Sequence, residues 1–463
     1  MNIDYAALKK LRAEDFMAPN PVLCCGGGRR FQGLAAMLSN GINIVAVIDE
    51  NKQGTMQVEN RRVPYLSLKQ AVESYGTSAR VIVTGASVKS FQDIKRNLLK
   101  CGFSEDRIFD LNVWTWLTAP SPSGKSYCRE FGNYMQFSPT ALSKCCNTGV
   151  IDAYLCEWFI EGQPLQESIE NFLEKRLFYI EESQKGRVPL RCRGCRFLSA
   201  PPDFINEKVT QFIVSDHAYC NADCVYCEAA CTLPRRESVA AAKERYEAIL
   251  YALVRLQEEK ILDERAVVQL AGGEITVNPY KNTIYETTKE VLKNSPELQL
   301  QLFSNCFVYD QEIADLLSLG KDSFLRCDLD AGTPETYIKV KGFDKFDTVR
   351  KHLKKYIQYG TVSLKYIVLP GWNDSQADYE GTVALLRELG INELLLSLEL
   401  GLSRDGSRMQ IREALYAAAR LTALLEENGI EAVFSDYLWK SEHVAIVKRL
   451  CREIRSLKQK EGG

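Results

Sequence analysis

The sequence predicts an α/β chain: a partial (β/α)6 TIM-type barrel, preceded by an N-terminal Rossmann-like domain and a small cysteine-rich module. Three observations predict it. After residue 208, six apolar-rich segments alternate with helical patterns. Residues from about 20 to 115 run strand, glycines, helix, strand, with an acid closing the second strand. Between them, the regular pattern gives way to spaced cysteines. The expected boundaries are 1–118, 119–204 and 205–440, with a C-terminal helix over 441–463.

The N-terminal pattern opens with a buried strand at residues 21–25, followed by Gly26, Gly27 and Gly28 and a helix through Met37 and Leu38. A second strand, 43–48, ends at Asp49; Val81–Val83 and a helix from Phe91 continue the alternation. Glycines at a helix N-terminus permit close phosphate approach, and an acid at this distance suits a ribose hydroxyl. The pattern is incomplete. Phe31 holds the third glycine position and Gly33 comes two residues late. A nucleotide site and a degenerate docking module both remain open.

The barrel strands are expected at Val209–Ser215, Ala266–Leu270, Leu298–Leu302, Phe324–Leu329, Ser363–Leu369 and Glu393–Leu398. Continuous apolar runs suit parallel strands covered on both faces. Functional groups then belong at the C-terminal strand ends. After the first strand come Cys220, Cys224 and Cys227. Three thiolates on one loop can hold three irons of a cubic cluster and leave the fourth iron open; short cysteine runs also serve zinc. The second strand ends in Gly272, Gly273 and Glu274, the third in Ser304, Asn305 and Cys306. The fourth carries Cys327, Asp328 and Asp330; alternation puts the two acids on one face. Lys365, inside the apolar fifth strand, needs a carboxylate or ligand partner. Asn373 and Asp374 are expected to cap the next helix. Arg404, Asp405 and Arg408 are expected in a charged loop.

Bulk composition is that of a soluble globular chain: 463 residues, 46% hydrophobic, 25% charged, net charge −2. No basic block points to nucleic acid, and no apolar run reaches the ~20 residues a bilayer requires. The N-terminus lacks the apolar core of a signal peptide, so a cytoplasmic location is expected. Sixteen cysteines against three histidines favour thiolate ligation of iron or zinc over a histidine site. Cys101 and Cys451 are expected to be buried core.

The Cys220–Cys224–Cys227 segment, with Asn221 and the aromatic Tyr226, resembles the cluster loop of the radical S-adenosylmethionine (SAM) superfamily, and the resemblance covers roughly residues 205–440. It implies a [4Fe-4S] cluster on the three cysteines, with the amine and carboxylate of SAM on the open iron. It further implies reductive cleavage of SAM to a 5′-deoxyadenosyl radical that abstracts hydrogen from a substrate. By position, Gly272, Gly273 and Glu274 would receive the methionine amine. Ser304 and Asn305 would meet the SAM carboxylate or ribose, Asp328 the ribose or substrate, and Tyr226 the cofactor. The end of the sixth strand, with Ser397 and Glu399, would line the adenine pocket.

The cysteine-rich segment resembles a SPASM-type auxiliary module, here ahead of the barrel instead of after it. That resemblance implies a second [4Fe-4S] cluster on Cys128, Cys146, Cys192 and Cys195, with Cys145 the substitute for Cys146. A structural zinc site uses the same four sulfurs, and Cys156 fits either this site or a helical core. The expected reaction is an oxidation of a small-molecule, sugar-, nucleotide- or glycan-linked substrate, fed by a donor such as flavodoxin or ferredoxin. A redox-neutral epimerase, with Cys306 or Cys231 as hydrogen donor, and a peptide-modifying enzyme are alternatives. A zinc-stabilised binding scaffold is the non-enzyme alternative.

Overall fold

The computed structural model describes residues 5–26, 41–58, 61–85, 87–138, 141–143, 156–195, 197–215, 219–227, 239–435 and 438–461. The glycine loop beyond Gly26, Cys145, Cys146 and Cys231 lie outside them. The chain divides into two compact units, one of Met1–Gln136 with Thr140–Val209, the other of Phe137–Pro139 with Thr210–Gly463.

The first unit contains β1 (Val22–Cys25), β2 (Ile44–Ile48), β3 (Thr55–Val58), β4 (Arg61–Leu66), β5 (Arg80–Val83) and β6 (Ile108–Asp110), in the sheet order β3-β4-β2-β1-β5-β6. β3 and β4 form an antiparallel hairpin; every other pairing is parallel. The apolar β1 and the β-branched runs of β2 and β5 are almost wholly buried, as central strands require. The helices Leu68–Tyr75 and Val88–Lys100 each start at a serine capping box, Ser67 with Gln70 and Ser87 with Ser90. β3, β4 and β6 escape the sequence reading because they are short or carry Arg61, Arg62 and Pro64.

The same unit continues with β7 (Thr118–Pro120), β8 (Tyr134–Phe137), β9 (Ala141–Ser143), β10 (Cys156–Trp158), the helix Leu165–Gln184 and β11 (Arg187–Pro189). β11 pairs antiparallel with β7, and β10 with β9. Two cysteine expectations change. Cys156 begins a strand instead of sitting in a helix. Cys101 is exposed, because it is the C-cap after the last turn of Val88–Lys100 instead of a residue on its apolar face. Cys451 is buried as expected.

Among its described residues the second unit has seven strands in chain order: β12 (Val209–Ser215), β13 (Leu262–Ala271), β14 (Gln299–Phe303), β15 (Phe324–Asp328), β16 (Thr361–Val368), β17 (Glu393–Leu398) and β18 (Glu431–Phe434). Each pair from β13–β14 to β17–β18 is parallel. Helices intervene, among them Val239–Glu258, Lys281–Asn294, Pro334–Lys341, Gln376–Leu389 and Arg408–Glu427. β12 and β18 are not neighbours, so the seven do not close into a ring. Leu300, Leu302, Leu325 and Cys327 are fully buried on one face of β14 and β15. Each such leucine contributes roughly 1.5–3 kcal/mol by burial.

The sequence reading counted six strands. β18 is short and partly exposed directly after a helix end, so it carries no strand-like apolar run. Ser375, not Asn373 or Asp374, caps Gln376–Leu389. Arg404 and Asp405 end the short helix Leu400–Asp405, and Arg408 begins the next one instead of lying in a loop. The parallel order brings the segments after β12 through β17 to one end of the sheet, and the chemistry-bearing residues lie there.

Candidate metal and cofactor site

The loop with Cys220, Cys224 and Cys227 follows β12 and is tied down from several sides. Asp223 N donates to Lys341 O and Val225 N to Val340 O, both at 3.0 Å. These carbonyls are among the last of the helix Pro334–Lys341, which lack intrahelical partners. Gly342 closes that helix at φ +81°, and a Cβ there would lie 2.9 Å from the Asp223 Cβ. Glu274 N donates to Tyr219 O at 2.7 Å, and Asn305 Nδ2 to Asn221 Oδ1 at 2.7 Å.

Tyr226 reaches below the loop. Its hydroxyl donates to Asp330 Oδ2 at 2.5 Å and accepts from Lys341 Nζ at 2.6 Å, while Lys341 also donates to Asp330 Oδ2 at 2.5 Å. Lys341 is 2% exposed and Asp330 0%. Asp330 is itself fixed: φ is +54°, Oδ1 accepts from Ile367 N at 2.6 Å, and its carbonyl accepts from Asn373 Nδ2 at 2.8 Å. Asn373, fully buried, also bonds Ile367 O and Leu369 N, so it ties β15 to the end of β16. Lys365 finds the carboxylate it needs in Asp328, at 2.9 Å.

Gly272 and Gly273, at φ +82° and +57°, make the turn after β13 that brings bare backbone to this end of the sheet. Glu274 follows the turn directly. It is 1% exposed, and its carboxylate accepts from Thr276 N, Thr276 Oγ1, Ser304 Oγ and Asn305 N. Its carboxylate is turned inward, where these bonds brace the glycine turn. Ser304 is buried with it, and Asn305 is committed to Asn221 and Phe307. Cys306, at φ +58°, is fully buried. Its thiol lies against Cys327 and the Ser304 carbonyl.

Burial pushes the Cys220 thiol up and the Cys224 thiol to about 11, the latter opposed by the nearby Lys341 cation. Burial raises Glu274, outweighing the donors around it. For Asp328 burial works against ionisation, but Lys365 and Lys341 prevail and hold it below its ordinary range. Beside Tyr226 and Val225 opens a cavity of about 450 Å³, walled by Leu369, Trp372, Glu399 and Glu413 among others. Ser397 is buried and does not line it.

The donor set fits an iron–sulfur group. Three thiols on one loop are free of disulfides, and Ala222 N already points at Cys220 Sγ at 3.4 Å. Among the described residues, no three His, Cys, Asp or Glu side chains form a ready single-ion site. In the first unit, Cys192 belongs to the apolar cluster with Trp114, Trp116, Phe131 and Leu198, and Cys128 and Cys195 pack against it. The backbone pairing of Tyr127 with Ser199 holds their segments together. Sequence reasoning missed Lys341, Asn221–Asn305 and the bridging Asn373. The one available signal was a lysine ending a helix directly before a glycine.

Residues 214–386 match the family model described as Radical SAM superfamily. No curated protein matches. Among solved structures, SuiB of Streptococcus suis bound to S-adenosylmethionine is similar at 14% identity and TM-score 0.38, covering 57% of this chain and 56% of that one. Native anSMEcpe with bound AdoMet gives 15% and 0.36, over 47% and 61%. A radical SAM methyltransferase from Sphaerobacter thermophilus gives 18% and 0.32, over 47% and 63%. The chain therefore spans less than two thirds of these structures, and likenesses this low fix no activity.

Proposed function

We propose, from the premise that residues 214–386 form a radical SAM domain with a [4Fe-4S] cluster and SAM as its cofactors, that this chain is an enzyme abstracting hydrogen from an organic substrate. One observation carries the reading: a three-thiol loop braced beside a double-glycine turn at the C-terminal ends of sequential parallel strands. The bound cofactors supply an electron and a 5′-deoxyadenosyl radical. The chain's own residues do the rest. Cys220, Cys224 and Cys227 hold the cluster, and the Gly272–Gly273 turn offers backbone to the methionine end of SAM. Tyr226, Glu399 and Leu402 wall the adjoining cavity and limit water around the reactive carbon.

The finer reading is an oxidation with a second cluster on Cys128, Cys146, Cys192 and Cys195 as electron acceptor. The backbone bridge of Tyr127 with Ser199, which joins the segment of Cys128 to the chain just after Cys192 and Cys195, supports it. A sugar-, nucleotide- or glycan-linked substrate is supported by the first unit's parallel order β4-β2-β1-β5-β6, the strand order of dinucleotide-binding sheets. In that reading Asp49, at the end of β2, meets a ribose. A flavodoxin or ferredoxin would deliver the electron. Anaerobic reconstitution with iron and sulfide should give brown protein that forms 5′-deoxyadenosine from SAM and dithionite. Colourless zinc protein giving none would overturn the proposal.

A further inference from the structure

We propose that Lys341 is a positioning residue for the cluster loop: paired with Asp330 beneath Tyr226, it holds the loop in place and keeps a buried positive charge beside the Cys224 end. This deepens the radical reading above and rests on it for the second half.

The geometry is unusual for an ion pair. Nζ of Lys341, Oδ2 of Asp330 and the Tyr226 hydroxyl form a closed triangle with every side at 2.5–2.6 Å. The ammonium also lies 5.1 Å from the Tyr226 ring centroid. Taking both charges out of water is costly, and a pair of apolar residues would commonly be as stable. What the pair supplies is location. Lys341 is the last residue of its helix, where a cation also suits the negative end of the helix dipole. The same residue offers its carbonyl to Asp223 N, so one residue grips the loop by backbone and by side chain. Asp330 passes that grip to β16 through Ile367 N and Asn373.

The charge has a second effect. A cluster on three thiolates gains a further negative charge when it takes up an electron. A cation held beside Cys224 in a water-poor setting favours that reduced form, and Asp330 partly offsets it. Losing Lys341 alone leaves the carboxylate unopposed, which disfavours reduction. Losing both charges restores neutrality but not the grip.

Two variants separate these effects, Lys341→Met and Lys341→Met with Asp330→Asn. In apoprotein, hydrogen exchange at the amides of Asp223 and Val225 should quicken at least tenfold in both. In reconstituted protein, the cluster midpoint potential should move negative in the single variant and return toward the parent value in the double. The double variant also serves if the single one does not fold. Parent-like exchange in both variants, or equal potentials in single and double, would overturn the proposal. Parent protein that takes up no iron would instead sink the radical reading, while the exchange result still decides the grip.

Discussion

Two groups of cysteines in this chain, one within a single loop and one drawn from distant segments, have opposite surroundings. Cys220, Cys224 and Cys227 sit on a loop braced by polar groups: Tyr226, Asp330, Lys341, Asn305 and two helix-end carbonyls. Cys128, Cys192 and Cys195 sit among Trp114, Trp116, Phe131 and Leu198. The difference is physical. In the function proposed above, the loop must keep one metal coordination site open and so cannot bury itself in apolar core; hydrogen bonds and an ion pair give it order instead. The proposed second cluster would leave its thiols fully coordinated, which is compatible with a hydrophobic surround.

The sharpest way to break this comparison is to remove one thiol from each group. Cys224→Ala should reduce 5′-deoxyadenosine formation to background, because a cluster needs every cysteine ligand. Cys195→Ala should leave that reaction near the parent rate and abolish substrate turnover. Loss of SAM cleavage in both, measured by chromatography after dithionite reduction, would show that the two groups do not have separate roles.

A smaller effect tests the brace itself. Asp330→Ala strands the Lys341 cation in the interior, and breaking a buried pair from one side costs about 3–5 kcal/mol. Thermal or denaturant unfolding should register that loss. Cys195→Ser, within the apolar group, should cost less, since it deletes no ion pair. Gly342→Ala comes next. It puts a side chain at φ +81° and brings a Cβ to 2.9 Å from Asp223. The left-handed backbone alone costs roughly 1–2 kcal/mol. Iron uptake by the 220–227 loop should fall with it, while absorbance attributable to the first unit's site should not change.

Much of this was legible in the sequence, and unevenly so. β12 and β17 have the expected limits because long apolar runs between helical patterns leave little freedom. The placement of the thiols, the double glycine and Asp328 at one end follows from strand order alone. What was not legible depends on three-dimensional pairing. Nothing in the sequence shows that Thr276, Ser304 and Asn305 surround Glu274 and make it a buried brace. Lys341 reads as one more surface lysine in a segment with several, and only the fold carries it beneath Tyr226. Asn373 reads as a helix cap, and its amide instead bonds across to Asp330. β18 gives little signal because exposed Glu431 and three half-buried apolar residues make a run too short to shape a pattern.

The smallest expected effect separates the two regions by pH. Asp328 pairs with Lys365 at 2.9 Å, and its carboxyl is held below the ordinary value of 3.8 although burial opposes ionisation. A carboxyl that is easier to ionise in the folded chain than in the unfolded one stabilises the fold when charged. That contribution is complete above the unfolded value and fades as the pH drops below 3.8 toward the depressed folded value. The β15–β16 end of the second unit should therefore loosen in acid, visible as faster hydrogen exchange at Leu329, whose amide donates to Lys365 O. Asp328→Asn should remove most of that acid dependence, at a cost of about 1 kcal/mol near neutrality. The first unit has a carboxylate of the same kind, Glu182, paired with Arg187 at 3.0 Å and also held below its ordinary range, so its own acid response should be untouched by Asp328→Asn. An acid response at Leu329 that is unchanged in Asp328→Asn, or one that changes equally in the first unit, would mean that the charged brace is not what orders the thiol-bearing end of the barrel.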